Sequence, residues 1–241
     1  MASAALLPAL RALLDRAGLG WSGLDAIAFG QGPGAFTGLR TACAVAQGLG
    51  LGLGLPLLPI DSLLIVAEDA RGQSLVDADA DQDLDVVVLM DARMDEIYAG
   101  RYRWCRGAWS VPVAPALYTL GGLARLWNTA GNDIDLGLDP EVGPDLDLVR
   151  DVDAGSGLVL AGSALLAFAD RLALPSGARR CPHEQDRAAA LLRLAVMAQA
   201  AGSGLDAADA LPLYLRDKVA QTTEERSALR AAKLLAQGTL S

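Results

Sequence analysis

The chain has 241 residues, 52% of them hydrophobic, and a formal net charge of -9. That length and apolar content support a packed core and exclude a disordered chain, while the surplus of acid argues against tight unaided binding to nucleic acid. One histidine, His183, excludes any site built on two or more His ligands. Three scattered cysteines, Cys43, Cys105 and Cys181, form no CxxC pair and fit free thiols in a reducing cytoplasm.

Leu6, Leu7, Leu10, Leu13, Leu14 and Ala17 recur at helical spacing, with Gly18 as the stop. Pro8 requires a helix that starts near Leu7, or a longer one that bends there. Arg11, Asp15 and Arg16 interrupt the apolar pattern, which does not fit a signal peptide. Asp25–Phe29 reads as a strand, Gly30–Gly38 (GQGPGAFTG) as a glycine-rich loop, and a helix follows from about Leu39. Thr41–Ile60 carries no charge and is long enough to span a membrane. Pro56, Pro59 and the glycines at 48, 50, 52 and 54 instead point to a buried helix and then a buried strand, Leu57–Ile60. Asp61 or Ser62 caps the next helix.

Asp77, Asp79, Asp81, Asp83 and Asp85 alternate along the chain, but Gln82 and Val88 stand where a calcium loop needs Gly and Glu. A solvated linker between two subdomains is expected. Val86–Met90 and Ile97–Trp104 form a hairpin around a charged turn. Thr119 caps a short helix, Leu120–Trp127, and Asn128–Gly157 reads as a long surface loop or insertion. Leu158–Ala161 is a strand, Ala164–Leu172 a helix, and Asp186–Ala201 an alanine-leucine helix. Leu211–Arg216 is extended, and Thr222 with Glu225 makes a capping box for the last helix. Strands alternating with helices and then a hairpin indicate an α/β protein with mixed sheets in two lobes.

The glycine-rich loop sits between a strand and a helix, where backbone amides can bind anions. Neither GxxxxGK[ST] nor GxGxxG is present, so a tight turn that packs closely on a neighbour stands equally with a phosphate site. Ala42, Ala46, Gly50 and Gly54 recur every four residues, as do Ala44, Gly48 and Gly52. Glycine inside a helix costs about 1 kcal/mol against alanine, so close packing would explain them; a helix that ends near Gly48 is the alternative. No GxSxG is present. Cys181 and His183 fit an ordinary surface loop better than a thiol site, and Asp91, Arg93, Asp95 and Glu96 fit a solvated hairpin better than an acid–base site.

Asp25–Leu63, with GPGAFTGLR at Gly32–Arg40, closely resembles the bacterial TsaB (YeaZ) family. Met90–Gly100 and Pro212–Ala220 (PLYLRDKVA) support the resemblance. It implies an actin-like (ASKHA, ribonuclease H-like) fold of two lobes, here residues 1–82 and 83–241. The second lobe would carry an insertion near 129–157 and a C-terminal helix that packs back on the first. The motif loop comprises Gly32, Pro33, Gly34, Phe36, Thr37, Gly38 and Arg40. The resemblance implies a cytoplasmic subunit, not itself catalytic, in making N6-threonylcarbamoyladenosine at position 37 of tRNAs that read codons beginning with A. Its partners would be a TsaD-like catalytic paralogue and a TsaE-like ATPase, with a homodimer when the paralogue is absent and tRNA met only through the complex. No metal and no cofactor of its own are implied, beyond weak adenine-nucleotide binding at the partner interface. The catalytic paralogue binds metal through an HxxxH pair, which a chain with one histidine cannot form. The partner surface carries over to Leu7, Leu10 and Leu14 on the first helix and Arg40, Ala44 and Gly48 on the next.

Members of the family begin with a strand bearing a DTS-like motif and two further strands before the first helix. This chain starts at that helix, so an N-terminally truncated first lobe is expected, through a missed upstream start codon or, as the alternative, as a truncated natural product. Two other classes compete: a nucleotide-binding phosphotransferase of the same fold, which needs the DTS-type loop, and a glycoprotease-like peptidase, for which no catalytic residues are recognisable.

Overall fold

Two sheets carry the chain, with one buried helix between them. The computed structural model describes residues 2–74, 83–123, 148, 157–172, 174 and 177–216. In chain order these form α1 (Ala2–Arg16), β1 (Ile27–Gly32), α2 (Phe36–Leu53), β2 (Leu57–Asp61) and α3 (Ser62–Ser74). There follow β3 (Leu84–Arg93), β4 (Glu96–Cys105), β5 (Ala108–Thr119), β6 (Val159–Ala161), α4 (Ala164–Ala167), β7 (Arg179–Cys181) and α5 (Arg187–Ala200). β1 and β2 pair in parallel, with α2 as the crossover between them. The second sheet has the order β5-β4-β3-β6-β7: an antiparallel meander of β3, β4 and β5, with β6 and β7 added in parallel.

The strand β3 shows why the second sheet needs cover on both faces. Val86 to Leu89 are all buried. Val87 and Leu89 point to a core with Ile97, Leu123, Leu160 and Phe168, while Val86 and Val88 point to α3. A period of two thus assigns one run of valines to two cores. The helix α3 is apolar on nearly every side. Leu63, Val66, Ala67 and Ala70 pack on the second sheet, and Ile65 packs on Leu58 and Ile60 of β2 and on Ala190 and Leu194 of α5.

Two acids stand in that buried helix. The Glu68 side chain is fully buried and accepts hydrogen bonds from Arg71 (Nε 2.8 Å) and Trp109 (Nε1 2.9 Å), and from the guanidinium of Arg193 on α5. Burial pushes its carboxyl up, but the bonds from Arg71, Arg193 and Trp109 together outweigh burial and hold it below the usual carboxylate range. The neighbouring Asp69 accepts from the backbone N–H of Gln185 (3.0 Å) and Asp186 (2.7 Å), which fixes the start of α5. Asp61 ends β2 and caps α3: its Oδ1 accepts from Leu63 N–H at 2.8 Å, and its Oδ2 accepts from the Tyr102 hydroxyl of β4 at 2.6 Å. Burial raises the Asp61 carboxyl, and these hydrogen bonds offset only part of that.

Several expectations are corrected. β1 runs Ile27–Gly32 rather than Asp25–Phe29. α2 begins at Phe36 rather than Leu39 and continues past Gly48 to Leu53, where Gly54 at φ +68° closes it. α1 does not start near Leu7: the longer of the two expected helices holds, with Pro8 inside it, and it ends where Leu19 N–H reaches Leu14 O (3.0 Å) across left-handed Gly18. β5 is not predicted by the sequence pattern, because Pro112 and Pro115 break its alternation. It is the sheet's edge, where a residue without N–H is tolerated. The helix expected over Ala164–Leu172 is one turn followed by irregular turns. Asp85 is no linker residue: it lies in β3 and binds Arg101 (3.0 Å) and Arg103 (2.7 Å). Most of the acidic run, most of Asn128–Gly157 and the last helix lie outside the described residues; Leu148, within that stretch, is buried in the second-sheet core. No described helix is long and apolar enough to cross a membrane.

Replacing Glu68 by Ala strands the buried N–H of Trp109 and the Arg71 guanidinium. Urea unfolding is expected to show a loss of about 3–5 kcal/mol at neutral pH. The folded pKa of Glu68 is depressed, so its contribution is present above the ordinary carboxylate pKa and disappears as pH falls through the lower folded value. The gap between E68A and wild type should therefore narrow below about pH 4.

Candidate functional site

The loop from β1 to α2 is held from two sides. The Gly32 N–H donates to Ser62 Oγ at 3.0 Å. The segment that follows α5 returns across the first sheet. Leu205 pairs with Leu57, Ala210 O accepts from Gln47 Nε2 (2.9 Å), and Leu213 N–H donates to Gln31 O (2.8 Å). Gly32 has φ +130°, and a Cβ there would lie 2.4 Å from Leu213 O. This glycine serves the approach of one backbone to another, as the tight-turn reading expected.

Gly34, Ala35 and Phe36 at the start of α2 line a cavity of about 470 Å³ between the sheets, together with Ser62, Tyr98 and Tyr214. Three arginines also border it, and each faces a carboxylate: Arg93 with Asp91 (3.9 Å), Arg187 with Glu184 (2.7 Å), and Arg216 with Glu96. Arg187 and Arg216 are closely paired within the chain, whereas Arg93, 86% exposed, is only loosely paired; the close pairs reduce what a phosphate would gain there.

α2 divides its residues between two faces. Leu39, Cys43, Ala46 and Gly50 are buried. A Cβ on Gly50 would meet Leu57 Cδ2 at 2.8 Å and Ala207 Cβ at 3.1 Å, so one small-residue series serves packing inside the chain. Arg40, Ala44 and Gly48 lie together at intervals of four on the exposed face, with Gly52 and the 69%-exposed Leu51 beyond them. Arg40 is positioned at the start of this face. Its guanidinium lies 3.9 Å over the Phe36 ring, and its Nε donates to the Tyr214 hydroxyl at 3.1 Å. Phe36 and Tyr214 are 5.1 Å apart. Of the motif loop, Gly32 and Pro33 are buried, Gly34 and Phe36 half-buried, and Thr37 and Gly38 exposed in the first turn of α2 rather than in a loop.

On α1, Leu7 is exposed, whereas Leu10 and Leu14 are half-buried. Among the described residues no hydrogen bond or ion pair joins α1 to α2.

The charged turn is a hairpin whose Arg93, Met94 and Asp95 all have φ near +60°. Asp91 accepts from Arg93 N–H (2.8 Å), Asp95 pairs with Arg171 (2.9 Å), and Glu96 with Arg216, so its acids serve structure. Cys181 is not on a surface loop as expected: it ends β7, buried, and burial pushes its thiol up. His183 is exposed. No described group of three His, Cys, Asp or Glu side chains could hold a metal. Tyr214 and Arg216 lie in the Pro212–Ala220 segment that supports the resemblance, but their role as structural anchors is not legible there, because Arg40 and Glu96 are distant from them in sequence.

Gly32→Ala should destabilise the chain by roughly 2–4 kcal/mol in urea unfolding, since both the dihedral and the clash with Leu213 O oppose it. Gly48→Ala meets open space on the exposed face and should be neutral or stabilising by up to about 1 kcal/mol.

Residues 2–223 match the family model of the tRNA N6-adenosine threonylcarbamoyltransferase TsaD. The tRNA threonylcarbamoyladenosine biosynthesis protein TsaB of Escherichia coli is 29% identical over 217 residues, which cover 89% of this chain and 80% of that protein. The TsaB of Haemophilus influenzae is 42% identical over 93 residues, so the matched part spans 39% of this chain and only about a third (36%) of that relative. Among solved structures, YeaZ from Pseudomonas aeruginosa superposes with a TM-score of 0.64 at 32% identity, covering 88% of this chain and 84% of that one. A Pseudomonas aeruginosa protein with similarity to peptidase YeaZ gives 0.63 at 34%, covering 88% and 82%. The two-sheet, mixed α/β fold is thus the actin-like architecture expected from the sequence. By sequence over most of its length and by fold, the chain belongs to the threonylcarbamoyltransferase (TsaD) family and, within it, to the TsaB (YeaZ) members.

Proposed function

We propose that this chain is the non-catalytic partner of a TsaD-like subunit in the complex that transfers a threonylcarbamoyl group to N6 of adenosine 37 in tRNAs reading codons that start with A. The observation that carries the proposal is the exposed face of α2, where Arg40, Ala44 and Gly48 form a smooth, uncovered strip on a helix whose opposite side is buried. A helix built from small residues admits a second helix at short distance. The relatives from Haemophilus influenzae and Escherichia coli are threonylcarbamoyladenosine biosynthesis proteins. α1, with Leu7, Leu10 and Leu14, would extend the contact. A TsaE-like ATPase would join the assembly in the cytoplasm, and tRNA would be held mainly by the other subunits.

The paired arginines around the interlobe cavity support a chain with no cofactor of its own. Adenine nucleotide would bind weakly at the partner interface. A peptidase has less support. The buried Cys181 thiol has the exposed His183 nearby in sequence but no depressed pKa, and the hairpin carboxylates are committed to arginines.

Ala44→Trp places a large ring on the exposed strip without touching the core. Co-purification with the TsaD-like subunit should be lost while the variant's urea midpoint stays at the wild-type value. An intact complex would reject α2 as the docking face.

A further inference from the structure

We infer that Arg40 is the charged anchor of the α2 face and receives a carboxylate from a helix of the partner subunit. The inference rests on the docking reading above and adds the chemistry of what docks. Among the described residues Arg40 has no carboxylate within ion-pair distance, a property it shares with Arg16, Arg106 and Arg180, whereas Arg93, Arg101, Arg103, Arg171, Arg187, Arg193 and Arg216 each have one. Its guanidinium is nevertheless already positioned. The Phe36 ring supports it at 3.9 Å, and its Nε is committed to the Tyr214 hydroxyl. That leaves the two terminal amino groups as donors, in the planar fork that matches a carboxylate. Ordering a long side chain before binding removes part of the entropy cost of the contact.

The surroundings select the class of partner. Arg40 is the one charged residue in the eighteen of α2. A nucleic-acid backbone is held by several cations together, and this strip offers one. From Arg40 the face continues through Ala44, Gly48 and Leu51, which an apolar helix would cover, excluding water around the ion pair. The matching surface is therefore an apolar helix with a single Asp or Glu near one end. Because Arg40 lies near the N-terminal end of α2, the pair also fixes the direction and register of docking.

The test is calorimetric titration of the full chain with the TsaD-like subunit across a salt series. Arg40→Gln should weaken binding by about 10–100-fold and flatten the salt dependence. Arg40→Lys should recover part of the affinity, because lysine keeps the charge and loses the fork. Tyr214→Phe should weaken binding by a smaller factor. Thermal unfolding of each variant checks that the monomer is intact. Wild-type affinity and salt slope in R40Q, with A44W still abolishing binding, would overturn the role of Arg40 and leave the docking face standing. Wild-type binding in A44W would overturn the docking face itself. Loss of tRNA from the assembled complex in R40Q, with pairwise affinity unchanged, would make Arg40 a phosphate contact and also overturn the inference.

Discussion

Glu68 and Asp69 constrain the rest of the molecule. They lie in α3, the helix buried between the two sheets, where an unpaired carboxylate would be costly. Each is satisfied by a different part of the chain: Glu68 by Arg71, by Trp109 on β5 and by Arg193 on α5; Asp69 by the backbone that starts α5. The second sheet, α3 and α5 are therefore satisfied together or not at all. Such networks define relative placement more than they add net stability. Tyr102 and Asp61 make a further, partly buried link between β4 and β2.

With the lobes fixed, the return of the chain after α5 determines what the glycine-rich loop does. Leu213 lies against Gly32, Tyr214 against Phe36 and Arg40, and Arg216 reaches the hairpin through Glu96 and Ala92 O. One short segment closes over the loop, ties it to the second sheet and orients the arginine at the start of α2. The same loop that phosphate-binding proteins leave open is here covered by backbone, and Arg187 and Arg216 at the cavity are bound to carboxylates. The free chemistry of this region lies on the outside, along α2.

The sequence made the element types legible where periodicity was strong: α1, α2, α3, α5, the β3–β4 hairpin and the apolar strands β2 and β6. It misplaced boundaries where glycine carried two meanings. Gly38 read as loop because GPGAFTG is continuous in composition, yet it begins a helix turn. Gly50 and Gly48 look alike in composition but belong to different four-residue series and to opposite faces in space, one against Leu57 and one open. β5 was hidden by prolines that only an edge strand tolerates, and β7 by its shortness and two arginines. The resemblance carried over Arg40, Ala44 and Gly48 as a partner surface; their spacing of four puts them on one exposed face of α2. Their partners Tyr214 and Arg216 come from the far end of the chain, and no local pattern encodes such contacts.

The central claim is that this chain assists a reaction that it does not perform. Threonylcarbamoylation of tRNA, followed by nucleoside mass spectrometry in a reaction reconstituted from the purified subunits with and without this chain, tests it most directly. The account predicts modified adenosine only when both this chain and the TsaD-like subunit are present, and none from this chain alone. Full modification in its absence, or modification by this chain without the TsaD-like subunit, would contradict it.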